Sequence, residues 1–147
     1  MIYGTGIDIV EIHRIGEVWQ RKGQRFLDRV YTPYEQRRCL RGAPAVQLER
    51  LAAHFAAKEA VMKALGTGLR QGVSWRDIEI RHQPTGKPVV SLTGPTKELA
   101  LARGIGTIHV SLSHGRTYAV ASAIALEGTD TALAKSEVSA DETLDSC

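Results

Sequence analysis

Apolar and polar positions alternate along several segments of the chain with the two-residue period of a β-strand. In the first of them, from Ile2 to Val10, Ile7 and Ile9 face one side and Asp8 faces the other. Two further pairs of such segments are each joined by a turn, as in a β-hairpin. These strands are predicted over residues 75–82 with 89–92, and over residues 108–114 with 118–126.

Other segments show helical spacing. A first helix is predicted from Glu11 to about Lys22. A second begins at Thr32-Pro33-Tyr34-Glu35, where threonine caps the helix, proline takes its first position and glutamate closes a capping box; it runs to about residue 41. The longest helix is predicted over residues 46–65, and a short one over residues 94–103. Strands and helices in this order predict an α+β fold of one domain, residues 1–127.

The long helix contains the most unusual position in the chain. Five apolar residues form one stripe along it. Glu59 projects into the middle of that stripe. Lys63 lies one turn further on, and Lys58 lies on the other flank. A carboxylate on a core-facing stripe is costly unless a cation or strong donors compensate it. Gly66-Thr67-Gly68 then ends the helix and allows backbone to approach a ligand closely. The stripe consists of Leu48, Leu51, Ala52, Phe55 and Met62.

Asp8 is a second carboxylate with apolar neighbours, although it could equally cap the helix that follows it. Two carboxylates without a cysteine or histidine cluster suit a hard cation, above all Mg²⁺, which also takes phosphate oxygens. Lys63 could neutralise Glu59 or reach a phosphate. The chain has neither a P-loop nor a dinucleotide-binding glycine motif. The residues alone therefore predict a magnesium-dependent protein that handles phosphate.

Charge is distributed unevenly along the 147 residues. The whole chain carries +3, but residues 128–147 carry −4 and are predicted to be a disordered acidic tail, so residues 1–127 carry +7. A basic domain favours acidic partners such as a nucleotide, an acidic protein or nucleic acid. Nucleic-acid binding is disfavoured because aromatic platforms and a known motif are missing. We find no apolar run that could span a membrane and no signal peptide, so a cytoplasmic location is expected.

Three polar features have both a functional and an ordinary interpretation. The first helix and the segment after it carry a basic face that is either solvated or a docking surface for an acidic partner. Lys87 in the hairpin turn could meet an anion or simply be exposed. One face of the strand over residues 108–114 carries His109, Ser111 and Ser113, which is either a solvent edge or a polar wall of a site.

Several motifs occur in an order that identifies a family. They are Gly6-Ile-Asp-Ile-Val-Glu-Ile-His-Arg14, Phe55-Ala-Ala-Lys-Glu-Ala60, Lys63-Ala-Leu-Gly-Thr-Gly68, Asp77-Ile-Glu-Ile80, Gly86-Lys-Pro88 and Val110-Ser-Leu-Ser-His114. Over residues 1–126 the chain resembles the holo-(acyl-carrier-protein) synthases, the short type of 4′-phosphopantetheinyl transferase. The resemblance implies the fold of that family, here a small antiparallel sheet packed against a long central helix.

The resemblance also implies an activity. Members transfer the 4′-phosphopantetheine group of coenzyme A to a serine of an apo acyl-carrier protein in fatty-acid biosynthesis, and they release adenosine 3′,5′-bisphosphate. Asp8 and Glu59 are then expected to bind Mg²⁺, with Lys63 near the transferred phosphate. Coenzyme A is expected to contact Lys58, Gly66, Thr67, Gly68, Lys87, Pro88, Ser113 and His114.

Assembly and docking are implied in the same way. The family forms homotrimers with active sites between subunits and docks the acidic carrier protein on the first helix. Matching residues here are Arg14, Val18, Arg21, Arg25 and Phe26. Some relatives have arginine where this chain has His54, which leaves an anion contact there open. The alternative function is a non-catalytic module that binds coenzyme A or another nucleotide.

Overall fold

A computed structural model describes residues 1–128 of the chain. The predicted tail therefore lies outside the described residues, except for Gly128. Three long strands form one antiparallel sheet in the order β1-β5-β4, and two short strands form a separate hairpin. The strands are β1 (Ile2–Glu11), β2 (Ile78–His82), β3 (Pro88–Leu92), β4 (Ile105–His114) and β5 (Tyr118–Glu127). The helices are α1 (Ile12–Lys22), α2 (Gln24–Val30), α3 (Pro33–Cys39), α4 (Pro44–Leu65) and α5 (Gly94–Ala102).

The predicted α+β fold with a sheet packed on a long central helix is confirmed. Helix α4 lies across β1, β5 and β4 on one side and contacts α1, α3 and β2 on the other. Its buried residues therefore surround most of the helix rather than forming the single stripe that the sequence suggests. A long helix buried on several sides is the core of the domain.

The sheet has one covered and one open face. On β1, Asp8 pairs with Ala121 of β5, and Ala121 pairs with Leu112 of β4, so these three residues share the face that α4 covers. The opposite face carries Ile7 and Ile9, which are 66% and 62% exposed. The alternation read from the sequence of β1 is thus correct, and the open face is unusually apolar.

One local prediction is confirmed, and two local features were not predicted. The capping box of α3 is present, with the Thr32 side chain accepting from the Glu35 N–H and the Glu35 side chain accepting from the Thr32 N–H. Helix α2 was not predicted. Trp75 to Asp77 form a 3₁₀ turn rather than the start of β2. The Asp77 carboxylate accepts hydrogen bonds from Thr96 at the start of α5, which holds this turn against that helix.

Within residues 1–128, none of the helices is long and apolar enough to cross a lipid bilayer.

Candidate active site

Asp8 and Glu59 come together because β1 lies directly against α4. Gly4 and Gly6 of β1 face the backbone carbonyls of Ala64 and Ala60, and a Cβ on either glycine would overlap those oxygens. Glycine therefore permits a separation that no larger residue allows. Gly4 and Gly6 thus bring the strand that carries Asp8 close to the helix that carries Glu59.

Lys63 forms an ion pair with Asp8. Its ammonium group donates to Asp8 Oδ1 at 3.2 Å and to the Ile7 backbone oxygen at 2.9 Å. The Asp8 side chain is 15% exposed and that of Lys63 is 53% exposed. The lysine therefore bridges α4 and β1 while part of its side chain remains accessible to a ligand.

Glu59 is electrostatically coupled to both residues. Burial raises the pKa of Glu59 above its usual value, and the negative charge of Asp8 raises it further, while Lys63 acts in the opposite direction. A cation beside Glu59 would offset this cost to its charge.

This donor chemistry fits Mg²⁺. Among residues 1–128, no three acidic, histidine or cysteine side chains gather as a potential metal site, so the chain would supply only Asp8 and Glu59. Magnesium is commonly held by one or two carboxylates together with water and substrate phosphate oxygens.

The carboxylate pair opens into a cleft of about 640 Å³. One side of the cleft is α1 and α2, and the other side is α4 with the 3₁₀ turn. Its wall carries basic side chains near apolar ones, a combination that suits a ligand with both phosphate and apolar parts. The cleft is lined by Asp8, Glu59, Arg14, Val18, Lys22, Arg25, Phe26, Arg29, Phe55, Leu69 and Trp75, among others.

Four of the five predicted docking residues line this same cleft: Arg14, Val18, Arg25 and Phe26. Arg21 is exposed but lies outside the lining. Phe26 is 7% exposed and packs against Tyr31, so little of its ring is open to a partner. The predicted metal and docking residues thus share one cavity.

The glycine loop after α4 lies next to the site. Gly66 has φ of 79° and its N–H bonds the carbonyls of Met62 and Lys63, which ends the helix one turn beyond the lysine. Arg103 donates to the Leu65 carbonyl and to the Gln71 side chain and so holds both ends of the loop. Gly68 is exposed, whereas Thr67 is buried.

Four other predicted coenzyme A contacts lie away from the cleft within one chain. Lys87 and Pro88 belong to the separate hairpin. Ser113 pairs with Val120, which pairs with Ile9, so Ser113 is on the open face of the sheet and Asp8 on the covered one. His114 lies near Glu49, with 3.9 Å between Nδ1 and Oε2. Glu49 precedes Glu59 by ten residues, or about 15 Å of helix.

Lys58 does not occupy the position expected of a coenzyme A ligand. Its side chain is completely buried and its ammonium group is bonded to Glu35, not exposed beside Glu59. The expectation that it binds coenzyme A is therefore corrected. Lys58 points away from the cleft because Glu35, on α3, supplies a buried counter-charge.

His54 is also buried, at 2% exposure, and its Nδ1–H donates to Glu35 Oε2 at 2.8 Å. It is thus placed to support Glu35 rather than to meet an external anion. Burial opposes the charge of His54, but its contacts with Cys39 and Glu35 raise its pKa to about 9. Burial likewise opposes the charge of Glu35, yet Lys58 and His54 lower its pKa to about 2.

The buried cluster of Glu35, His54 and Lys58 was missed in the sequence. Glu35 was recognised only as part of a capping box, a role it also fills. Its second role depends on α4, which begins nine residues later, and no local pattern signals it.

Comparison with known proteins identifies the family. Residues 4–123 match the model of the 4′-phosphopantetheinyl transferase superfamily. The chain belongs to this superfamily. It is 53% identical over 124 residues to the holo-[acyl-carrier-protein] synthase of Koribacter versatilis, a match that covers 84% of this chain and 98% of that protein.

Solved structures of this superfamily share the fold. The crystal structure of holo-[acyl-carrier-protein] synthase from Neisseria meningitidis is 38% identical, with a TM-score of 0.79, over 86% of this chain and 100% of the other. The Bacillus anthracis holo-(acyl-carrier-protein) synthase in complex with CoA (3′,5′-ADP) is 34% identical, with a TM-score of 0.72. This match covers 87% of this chain and 98% of the other.

Proposed function

We propose that this transferase moves the 4′-phosphopantetheine group of coenzyme A to a serine of an acidic apo acyl-carrier protein, in fatty-acid biosynthesis. The products are the holo carrier protein and adenosine 3′,5′-bisphosphate. The observation that carries the proposal is the juxtaposition of Asp8, Glu59 and Lys63 at a cleft with a basic wall. The named relatives, which are holo-(acyl-carrier-protein) synthases, support the same activity.

Asp8 and Glu59 would hold Mg²⁺, which supplies charge stabilisation at the pyrophosphate when bound. Lys63 is bonded to Asp8 and its side chain is 53% exposed, so its ammonium group could turn to favour negative charge on the transferred phosphate or the leaving group.

The carrier protein docks on α1 and α2. Arg14, Arg25 and Arg29 surround the cleft from this side, so an acidic carrier held there presents its serine directly to the carboxylate pair. The shared cavity is the structural support for this arrangement.

The active unit is a homotrimer. Two features support an assembly in which neighbouring chains complete each site. The open sheet face exposes Ile7, Ile9, Ile124 and Tyr118, an apolar surface suited to subunit contact. Ser113 shares this face, and with Lys87 and His114 it lies away from the cleft of its own chain.

The decisive test is intact mass spectrometry of several apo carrier proteins incubated with this protein, coenzyme A and Mg²⁺. The expected result is a mass gain of one phosphopantetheinyl group on at least one carrier. Binding of coenzyme A without any mass gain would instead identify a non-catalytic nucleotide-binding module.

A further inference from the structure

Lys58 forms a buried connection between four elements of the fold. Its ammonium group donates to Glu35 Oε1 at 2.5 Å, to the Trp75 carbonyl at 3.0 Å and to the Ile78 carbonyl at 2.7 Å. A lysine has three N–H donors, and all three are used here. The side chain thus joins α4 to α3, to the 3₁₀ turn and to the start of β2.

Both carboxylate oxygens of Glu35 also accept hydrogen bonds. Glu35 Oε1 also accepts a hydrogen bond from the Thr32 N–H at 3.0 Å. Glu35 Oε2 accepts hydrogen bonds from His54 at 2.8 Å and from the Ile80 N–H at 3.2 Å. A buried ion pair is often no more stabilising than apolar residues of similar size. What the lysine does beyond stability is to fix two backbone carbonyls at the two ends of the 3₁₀ turn.

The residue held in this way forms part of the cleft. The Trp75 ring stacks on Phe55, with 4.9 Å between ring centroids and 27° between ring planes, and both side chains line the cavity. Phe55 precedes Glu59 by one helical turn, so the two neighbour each other on one face of α4. The stacked pair is therefore an apolar wall beside the carboxylate site.

We propose that Lys58, with its charge balanced by Glu35, is a positioning residue: it fixes Trp75 against Phe55 so that this wall receives the apolar part of coenzyme A next to the transferred phosphate. The choice of coenzyme A rests on the function proposed above. In coenzyme A, a carbon bearing two methyl groups follows the phosphate ester closely. A phosphate held at Asp8 and Glu59 would put that branched carbon within reach of the Phe55–Trp75 wall, because Phe55 precedes Glu59 by one helical turn.

Trp75 itself provides a readout that needs no substrate. The chain has two tryptophans, so Trp19→Phe leaves Trp75 as the only one. In this background Lys58→Met alone leaves Glu35 buried without its cation and is expected to unfold the chain. The double variant Glu35→Gln/Lys58→Met removes both charges and the donors to the Trp75 and Ile78 carbonyls.

The double variant is expected to show red-shifted Trp75 emission and greater quenching by acrylamide, with native circular dichroism. The matched control is Tyr31→Phe, which removes a buried 2.7 Å hydrogen bond to the Leu51 carbonyl but keeps the aromatic ring and the three hydrogen bonds of Lys58. Its Trp75 emission should be unchanged. Parental emission and quenching in the folded double variant would overturn the positioning role, as would an equal change in the control.

Steady-state kinetics test whether coenzyme A binds at the Phe55–Trp75 wall. The double variant and Trp75→Leu should each raise the KM for coenzyme A by about tenfold, as expected for the loss of an apolar contact, and leave the carrier KM nearly unchanged. An unchanged coenzyme A KM, or an equal rise in both, would overturn the assignment of the wall to coenzyme A. If the unsubstituted protein modifies no carrier, the proposed function fails, and the fluorescence comparison still decides the positioning role.

Discussion

Gly6 on β1 lies against the backbone carbonyl of Ala60 on α4, so closely that there is no space for a Cβ at Gly6. Two residues after Gly6 is Asp8, and one residue before Ala60 is Glu59. This backbone contact therefore sets the separation of the two carboxylates, and the chemistry of the site depends on the absence of a side chain.

Gly6→Ala should push β1 away from α4. We expect a loss of about 3 kcal/mol in the free energy of unfolding, typical of severe overpacking, together with loss of transferase activity. Urea denaturation and the intact-mass assay measure the two effects. The control is Gly16→Ala on α1, where a Cβ would meet only the flexible Leu48 side chain at 3.4 Å. If Gly6→Ala behaves like this control, the close contact does not set the site.

Asp8→Asn should stabilise the metal-free protein while abolishing transfer. Burial and, after it, the charge of Asp8 raise the pKa of Glu59 in the folded state, so ionised Glu59 opposes folding at neutral pH and the Asp8 charge adds to that cost. Removing one charge should raise the Tm by a few degrees at pH 7. The gain should shrink below about pH 4.5, the ordinary pKa of glutamate, where Glu59 is protonated in both states.

Differential scanning fluorimetry in the presence of a chelator checks this prediction, with Asp28→Asn as an exposed control on α2. A lower Tm for Asp8→Asn at pH 7 would show that the ion pair between Lys63 and Asp8 stabilises the fold more than the repulsion between the two carboxylates destabilises it. Near-normal turnover would show that Asp8 is not a metal ligand.

His54 should stabilise the protein in a pH-dependent way. Its pKa is about 9 when folded and near 6.5 when unfolded, so its charged form contributes fully below pH 6.5 and the contribution is lost as the pH rises through about 9. The stability that the charged form of Glu35 contributes has the opposite pH dependence. It is present above about pH 4.5 and is lost as the pH falls towards 2.

The variant His54→Gln should therefore be destabilised more at pH 6 than at pH 10, by about 3 kcal/mol. Urea unfolding at both pH values gives the difference. An equal loss at the two pH values would mean that His54 is neutral beside Glu35.

The basic wall of the cleft should determine carrier binding. Arg14→Glu should raise the KM for the carrier at least tenfold and change the KM for coenzyme A little, because rim charges mainly steer the acidic partner. Arg21 lies outside the cleft lining, so Arg21→Glu should have a smaller effect. Arg37→Glu on α3 is an exposed control. Equal effects on both substrates would remove the docking hypothesis.

The open sheet face should be a subunit interface. Ile9→Lys places a charge on a 62% exposed apolar residue and should convert trimers into monomers without activity. Analytical ultracentrifugation measures the assembly. Leu101→Lys on α5, where leucine is 45% exposed, is the control and should leave the trimer intact. A monomeric and active parent protein would contradict the trimer.

Local patterns carried much of the information about this protein. The alternation in β1 placed Asp8 on the covered face, the spacing in α4 placed Glu59 and Lys63 beside each other, and the Thr32 capping box located the start of α3. Such features repeat over a few residues and depend on backbone geometry alone, so they are visible in sequence. The ordered motifs added the family and its expected chemistry.

Only the tertiary structure decided which charges are buried and which predicted contacts lie together. Lys58 and Glu59 are adjacent in sequence, yet one is enclosed with Glu35 and the other opens into the cleft. Ser113 lies on the opposite sheet face from Asp8. Periodicity tells which residues share a face, but the element that covers this face comes from distant sequence. A charge is stable inside only where that element supplies its partner.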